Sequence, residues 1–136
     1  MTMATYNKFN SFVEALAEKV HNLGSDTLAV ALSNTAPVAG NSVLADIVQI
    51  DQSNVSNRAL TTTSSAQTNG VYSLAVADKV LTASGAVPTF RYVIVYNDSA
   101  ANDELICWYD YGASGVTLAS GETFTIDFGA SLLTLA

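Results

Sequence analysis

Charge is what this sequence has least of. Only 12% of its 136 residues are Asp, Glu, Lys or Arg, about half the usual share of a soluble domain. Five cations, Lys8, Lys19, Arg58, Lys79 and Arg91, lie scattered among 12 acids, for a net charge of −7. That excludes a basic stripe tracking phosphates and speaks against a nucleic-acid or anionic-membrane partner. The single cysteine, Cys107, excludes an intrachain disulfide and a Cys-rich metal site. The single histidine, His21, leaves one candidate base for a Ser–His–Asp site, and no G-x-S-x-G nucleophile motif accompanies it. Glycines stand singly or beside serine, with no G-x-G-x-x-G phosphate cradle. No run approaches the roughly 18 apolar residues of a membrane span. The start, "MTMATYNKFN", lacks the basic and apolar segments of a secretory signal, so synthesis and folding in a cytoplasm are expected.

What is plentiful is apolar: 49% of the residues. Low charge combined with high hydrophobicity is the opposite of the disorder signature. It points to a single domain over 1–136 with a real core, whose uncharged surface is solvated by Ser, Thr and Asn or covered by other chains, as in an oligomer or an assembly subunit.

One segment carries helical periodicity. Phe9, Phe12, Val13, Leu16, Val20 and Leu23 recur at spacings of three and four, predicting an amphipathic helix over about 7–23. Ser11 and Glu14 have capping-box spacing, and Gly24 is placed to stop the helix. After Gly24 the period changes to two, and strands are expected from about 27 to 135. "TLAVALS" sets Leu28, Val30 and Leu32 against the small Ala29 and Ala31, whose face would let the helix or another sheet approach closely. "NTAPVAGN" is a loop, and "SVLADIVQI" fits either a short helix or a strand. Residues 51–70 are rich in Ser, Thr, Asn and Gln, with a strand expected around "RALTTTS". Then come "VYSLAVA", "KVLTA", "TFRYVIVYN", "ELICWYDYG", "GVTL", "ETFTIDFG" and "SLLTL". In "TFRYVIVYN" one face is expected to hold Phe90, Tyr92, Ile94 and Tyr96, with Val93 and Val95 on the other, so this strand should be central. The predicted fold is mainly β: an antiparallel β-sandwich or jelly-roll-like barrel with one N-terminal amphipathic helix packed on it.

The oxygen-rich "NDSAANDE" (97–104) lacks the spacing and central glycine of an EF-hand and reads as a turn, with an adventitious or structural cation as the minor alternative. Glu122 and Asp127 carry no more weight as a carboxylate pair than any two of twelve acids. The densest chemistry is "CWYDYG" (107–112). Strand alternation puts Cys107, Tyr109 and Tyr111 on one face and Trp108 with Asp110 on the other. Cys107 and Tyr109 are assigned to the core. Trp108 is expected to point outward as an interface anchor, with a half-buried Trp under the helix or a loop as the competing reading. Trp108 and Tyr111 are the candidate interface residues. No catalytic residue, metal ligand or cofactor site is identified, and the chain is read as a non-enzyme without a cofactor.

Taken in order, "YNKFNSFVEALAEKVHNLGSDTLAVALSNTAP", "VLADI", "LTASG", "FRYVIVYND", "ICWYDYG" and "LASGETFTIDF" resemble a family of small virion structural proteins of tailed bacteriophages. The resemblance covers nearly the whole chain and weakens between Asp51 and Val71, where "QSNVSNRALTTTSS" departs from a glycine-rich family pattern. It implies a capsid decoration, or cement, protein: a homotrimer on the outside of the head, with the major capsid protein as partner. It also implies virion localisation after synthesis in the bacterial host. A tail or adsorption protein that binds a host glycan through an aromatic shelf at Trp108 and Tyr111 is the alternative.

Overall fold

The computed structural model describes residues 4–136. The first three residues of the segment read as lacking a signal lie outside the described residues. The fold is mainly β and antiparallel, with one short helix. β1 (Thr5–Lys8), β8 (Leu105–Asp110), β7 (Tyr92–Asn97) and β2 (Leu28–Ser33) form a four-stranded sheet in that order. β11 (Leu133–Leu135), β4 (Val71–Val76) and β3 (Thr62–Thr68) form a second sheet. Two ribbons complete the set: β10 (Thr123–Ile126) with β5 (Lys79–Thr82), and β6 (Val87–Phe90) with β9 (Val116–Leu118).

β7 and β2 are buried along their whole lengths, and β8 is buried from Leu105 to Tyr109. The four-stranded sheet therefore has two dry faces. Against one lies the main core, which takes Leu28, Val30 and Leu32 from β2, Val93 and Val95 from β7, and Tyr109 from β8. Against the other lies a smaller core of Phe9, Ala29, Ala31, Ile47, Tyr92, Ile94, Tyr96, Leu105 and Trp108. What covers this second face is the irregular segment 34–50, with a 3₁₀ turn at Leu44–Asp46. An isolated antiparallel bridge between Val43 and Glu104 ties it to the sheet: the Leu44 N–H donates to the Asp103 carbonyl at 3.0 Å and the Leu105 N–H to the Ser42 carbonyl at 3.0 Å. The small side chains of β2 meet neither of the expected neighbours, the helix or another sheet, but this cover and the aromatic rings beneath it.

The expected helix over 7–23 is mostly not helix. Residues 5–8 extend along β8, and α1 spans only Ser11–Ala17. The apolar spacing that suggested one long helix serves two separate cores, with Phe9 in the smaller and Phe12 and Leu23 in the main one. Val13 is 49% exposed. The capping box does not form either; Asn10 occupies the N-cap position without a side-chain bond. Lys19, at φ 69°, ends the helix instead of Gly24. The Lys19 N–H donates to Leu16 O and the Val20 N–H to Ala15 O, the paired bonds of a Schellman motif.

The run "TFRYVIVYN" is likewise divided. β6 ends at Phe90 and pairs with β9, whereas β7 begins at Tyr92 and pairs with β8 and β2, so the run passes from one ribbon to the larger sheet at Arg91. Phe90 therefore points into the main core while Tyr92 faces the smaller one, contrary to strict alternation. As expected, β7 is central, between β8 and β2. In β8, Ile106 is an extra residue between the Val95–Cys107 and Tyr96–Leu105 pairs. This bulge turns Ile106 and Cys107 to the same core.

Candidate functional site

Trp108 does not project outward. It is 9% exposed and its ring lies 4.5 Å from that of Phe9, inside the smaller core and beneath the 34–50 cover. The correction has a simple cause: alternation shows that Trp108 faces away from the main core, but only the tertiary structure shows that the opposite face is also covered. Tyr111 is partly buried against the main core, edge-on to Phe124 at 5.1 Å. Its hydroxyl is pushed up to about 12 by burial and by the nearby Asp127. Trp108 and Tyr111 therefore sit on opposite faces of the sheet and form no common shelf.

The rest of "CWYDYG" is structural in its contacts. Cys107 is fully buried, and desolvation pushes its thiol up to about 12, far from the thiolate that cysteine chemistry requires. Asp110 receives a two-pronged bond from Arg91, Nε to Oδ1 at 2.7 Å and Nη2 to Oδ2 at 3.0 Å, and the Gly112 N–H at 2.9 Å. The guanidinium, first among these, holds the Asp110 carboxyl below its ordinary value. Arg91 also lies over the Tyr92 ring at 5.2 Å. This cluster fixes the corner between β6 and β7.

A polar cluster absent from the sequence reading lies where residues 21–26 meet the end of β7. Asn97 is fully buried. Its amide nitrogen lies 2.7 Å from Asp26 Oδ2 and 2.9 Å from His21 Nδ1, and its oxygen accepts the N–H groups of Ser99 and Ala100. His21 stacks on Phe12 at 5.4 Å, and its Nε2 has no hydrogen-bond partner. Burial lowers the His21 pKa, with Glu104 and Asp26 opposing that shift. The signal for Asn97 was present, an Asn ending the strongest strand, but its distant partners were not. Within the turn 97–104, Asn97 is engaged as described, Glu104 accepts the Asn102 N–H at 2.9 Å and Ser99 Oγ accepts the Thr27 N–H at 2.9 Å. Glu122 and Asp127 accept the N–H groups of Ala119 and Gly129. Among the described residues, no three of His, Cys, Asp and Glu are grouped to hold a metal ion.

Three surface features remain. An open groove of about 700 Å³ runs between the 16–26 segment and the second sheet, lined by Leu16, Val20, His21, Asp26, Tyr72 and Leu135 among others. The 34–50 cover shows Val38 and Val48 to solvent, 59% and 63% exposed, and no charged residue lies between Asp26 and Asp46. Finally, β3 and its turn are exposed from Thr63 to Val71, while β4 puts Leu74 and Val76 into the main core; the whole stretch from Ala59 to Ala77 is without charge. The Asn69-Gly70 turn, with φ 51° and 83°, carries a type I′ hairpin signal that is legible in the sequence.

No helix of the described residues is long and apolar enough to cross a membrane. Comparisons with protein families, with curated proteins and with solved structures found no match.

Proposed function

We propose that this chain is a structural protein of a tailed-phage particle that decorates the outside of the assembled head and reinforces it by binding the major capsid protein. Its mode of action is association, with no bond made or broken. The observation that carries the reading is the 34–50 cover, which leaves two valines largely exposed: Val38, within the stretch that bears no charge between Asp26 and Asp46, and Val48, between Asp46 and Asp51. Such apolar surface favours a protein partner over water, and the ordered resemblance to phage virion proteins supplies the partner. A ligand that binds the intact shell and not its ruptured form stabilises the shell by linkage, and many sites per shell let modest affinities suffice. The glycan-binding alternative loses its basis, because Trp108 is buried and Tyr111 lies on the opposite face.

Cryo-electron microscopy of purified virions tests the proposal. Density for this chain on the head surface is expected, and heads without it would sink the reading. Val38→Asp combined with Val48→Asp is expected to weaken binding to purified shells by about tenfold or more, the effect of charging an apolar contact, while leaving thermal unfolding nearly unchanged. Shell binding indifferent to both substitutions would remove this face from the interface.

A further inference from the structure

The outer edge of β3 combines properties that a free edge rarely combines. β3 is the last strand of its sheet. The hairpin closes through Asn69-Gly70, with Thr68 opposite Val71, Ala66 opposite Ser73 and Ser64 opposite Ala75. In a two-residue I′ hairpin the closing pair exchanges hydrogen bonds, and every second pair after it does the same. Ser64, Ala66 and Thr68 therefore direct their main-chain groups at β4, and Ser65 and Gln67 direct theirs outward. Among the described residues, no backbone group pairs with that outward edge. Nor do the two side chains cover it: Gln67 Oε1 accepts the Gly70 N–H, and Ser65 Oγ lies 2.7 Å from the Tyr72 hydroxyl.

Proteins guard such edges with lysine, proline, bulges or a covering segment. Here a register shift lies between Thr62 and Ser64, but from Ser64 to Thr68 the edge is regular. It contains no proline, and the nearest charges in the chain are Arg58 and Asp78. We infer that this edge is a pairing surface for the β3 edge of a second copy of the chain, joined antiparallel about a two-fold axis at Ala66.

Charge selects this occupant. Each copy carries a net charge of −7, so contact between copies is opposed wherever the acids face one another. β3, exposed from Thr63 to its turn and without charge, is a place where that opposition is absent. The strand is also compatible with itself. Centring on Ala66 sets Ser65 opposite Gln67 of the second copy, so the outward main-chain groups pair with each other. The outer-face residues Ser64, Ala66 and Thr68 are small enough to continue the sheet without a clash. The two three-stranded sheets then become one continuous sheet through an isologous contact. This two-fold contact differs from the three-fold ring implied by the family resemblance, and it rests on the edge geometry alone, independently of head decoration.

The test is the mass of the purified full-length chain across a wide concentration range, by sedimentation equilibrium. A monomer–dimer equilibrium is expected. Ala66→Asp and Ala66→Lys should each raise the dissociation constant by about tenfold or more, and an equimolar mixture of the two should restore pairing. Recovery in the mixture shows that both variants kept their fold and that the substituted positions meet. In the unsubstituted chain, the Ser65 and Gln67 amides should exchange hydrogen more slowly as concentration rises, which decides the matter even if a variant fails to fold. A monomer at every concentration, a mass of three copies, or association indifferent to both substitutions would overturn the inference.

Discussion

Asn97 shows how much a single buried amide can organise. Its side chain ties the 21–26 segment to the end of β7 through Asp26 and His21, and it closes the following turn through the N–H groups of Ser99 and Ala100. Removing it leaves those groups without partners in a closed site, where each unsatisfied polar group costs about 1–3 kcal/mol. Asn97→Ala is expected to lower unfolding stability by roughly 3 kcal/mol, as measured by urea denaturation. Asn97→Ala should also release the 21–26 segment first, visible as faster amide exchange at Asp26. His21 adds a pH dependence. Its folded pKa is lowered by burial, so at mildly acid pH the unfolded chain binds a proton that the native chain resists. Stability from this group is complete above the unfolded value of about 6.5 and declines as pH falls below it, until the native ring also protonates. As the only histidine, His21 should account for most of the change in denaturation midpoint between about pH 7 and 5. His21→Gln should flatten that slope, and an unchanged slope would refute the assignment. The carboxyls of Asp46, Asp51 and Asp110 are lowered mainly by hydrogen bonds, so the stability they contribute is lost at still lower pH.

At the scale of elements, α1 illustrates how a periodic pattern can be divided. The chain keeps apolar residues at helical spacing from Phe9 to Leu23, yet the helix stops at Ala17. Its stop depends on Lys19 holding φ 69°, a conformation that costs a side-chain-bearing residue about 1–2 kcal/mol and costs glycine almost nothing. Lys19→Gly is expected to raise stability by about 0.5–1 kcal/mol after glycine's greater freedom in the unfolded chain is subtracted. Thermal unfolding would show this as a higher midpoint; a lower one would mean that Lys19 makes contacts worth more than the strain. The β3–β4 hairpin is the opposite case. Asn69-Gly70 sets its turn locally, so the register follows from short-range chemistry even though the strand buries little.

For the whole molecule, the central feature is a sheet with unequal cores on its two faces. The larger is closed by other strands, and the smaller is closed by the irregular 34–50 segment over Phe9 and Trp108. A cover of loops opens more readily than a layer of strands, because fewer backbone bonds hold it. Trp108→Ala should cost about 3–5 kcal/mol, the usual penalty for deleting a large buried aromatic. It should also accelerate amide exchange at Leu44 and Ile47 well before it affects Val93 and Val95. Uniform acceleration across both faces would show that the two cores unfold as one unit.

Much of this was decided by sequence. Strand alternation in "ETFTIDF", the burial of Cys107 and Tyr109, the central place of β7 and the antiparallel β class all follow from local patterning, because a strand's period fixes which side chains share a face. Low charge without clustered ligands likewise directs attention to surfaces. What the residues could not disclose is what lies opposite each face. Alternation places Trp108 away from the main core, but whether that side meets water or a second core depends on a cover more than fifty residues away in the chain. Phe9 and Phe12 share one helical stripe in sequence and two cores in space, because pairing residues 5–8 with β8 outweighed the helical period. The His21–Asn97–Asp26 cluster joins positions separated by more than seventy residues. Period and propensity are local, whereas burial is settled only when distant segments compete for the same face, and only the tertiary structure records that outcome.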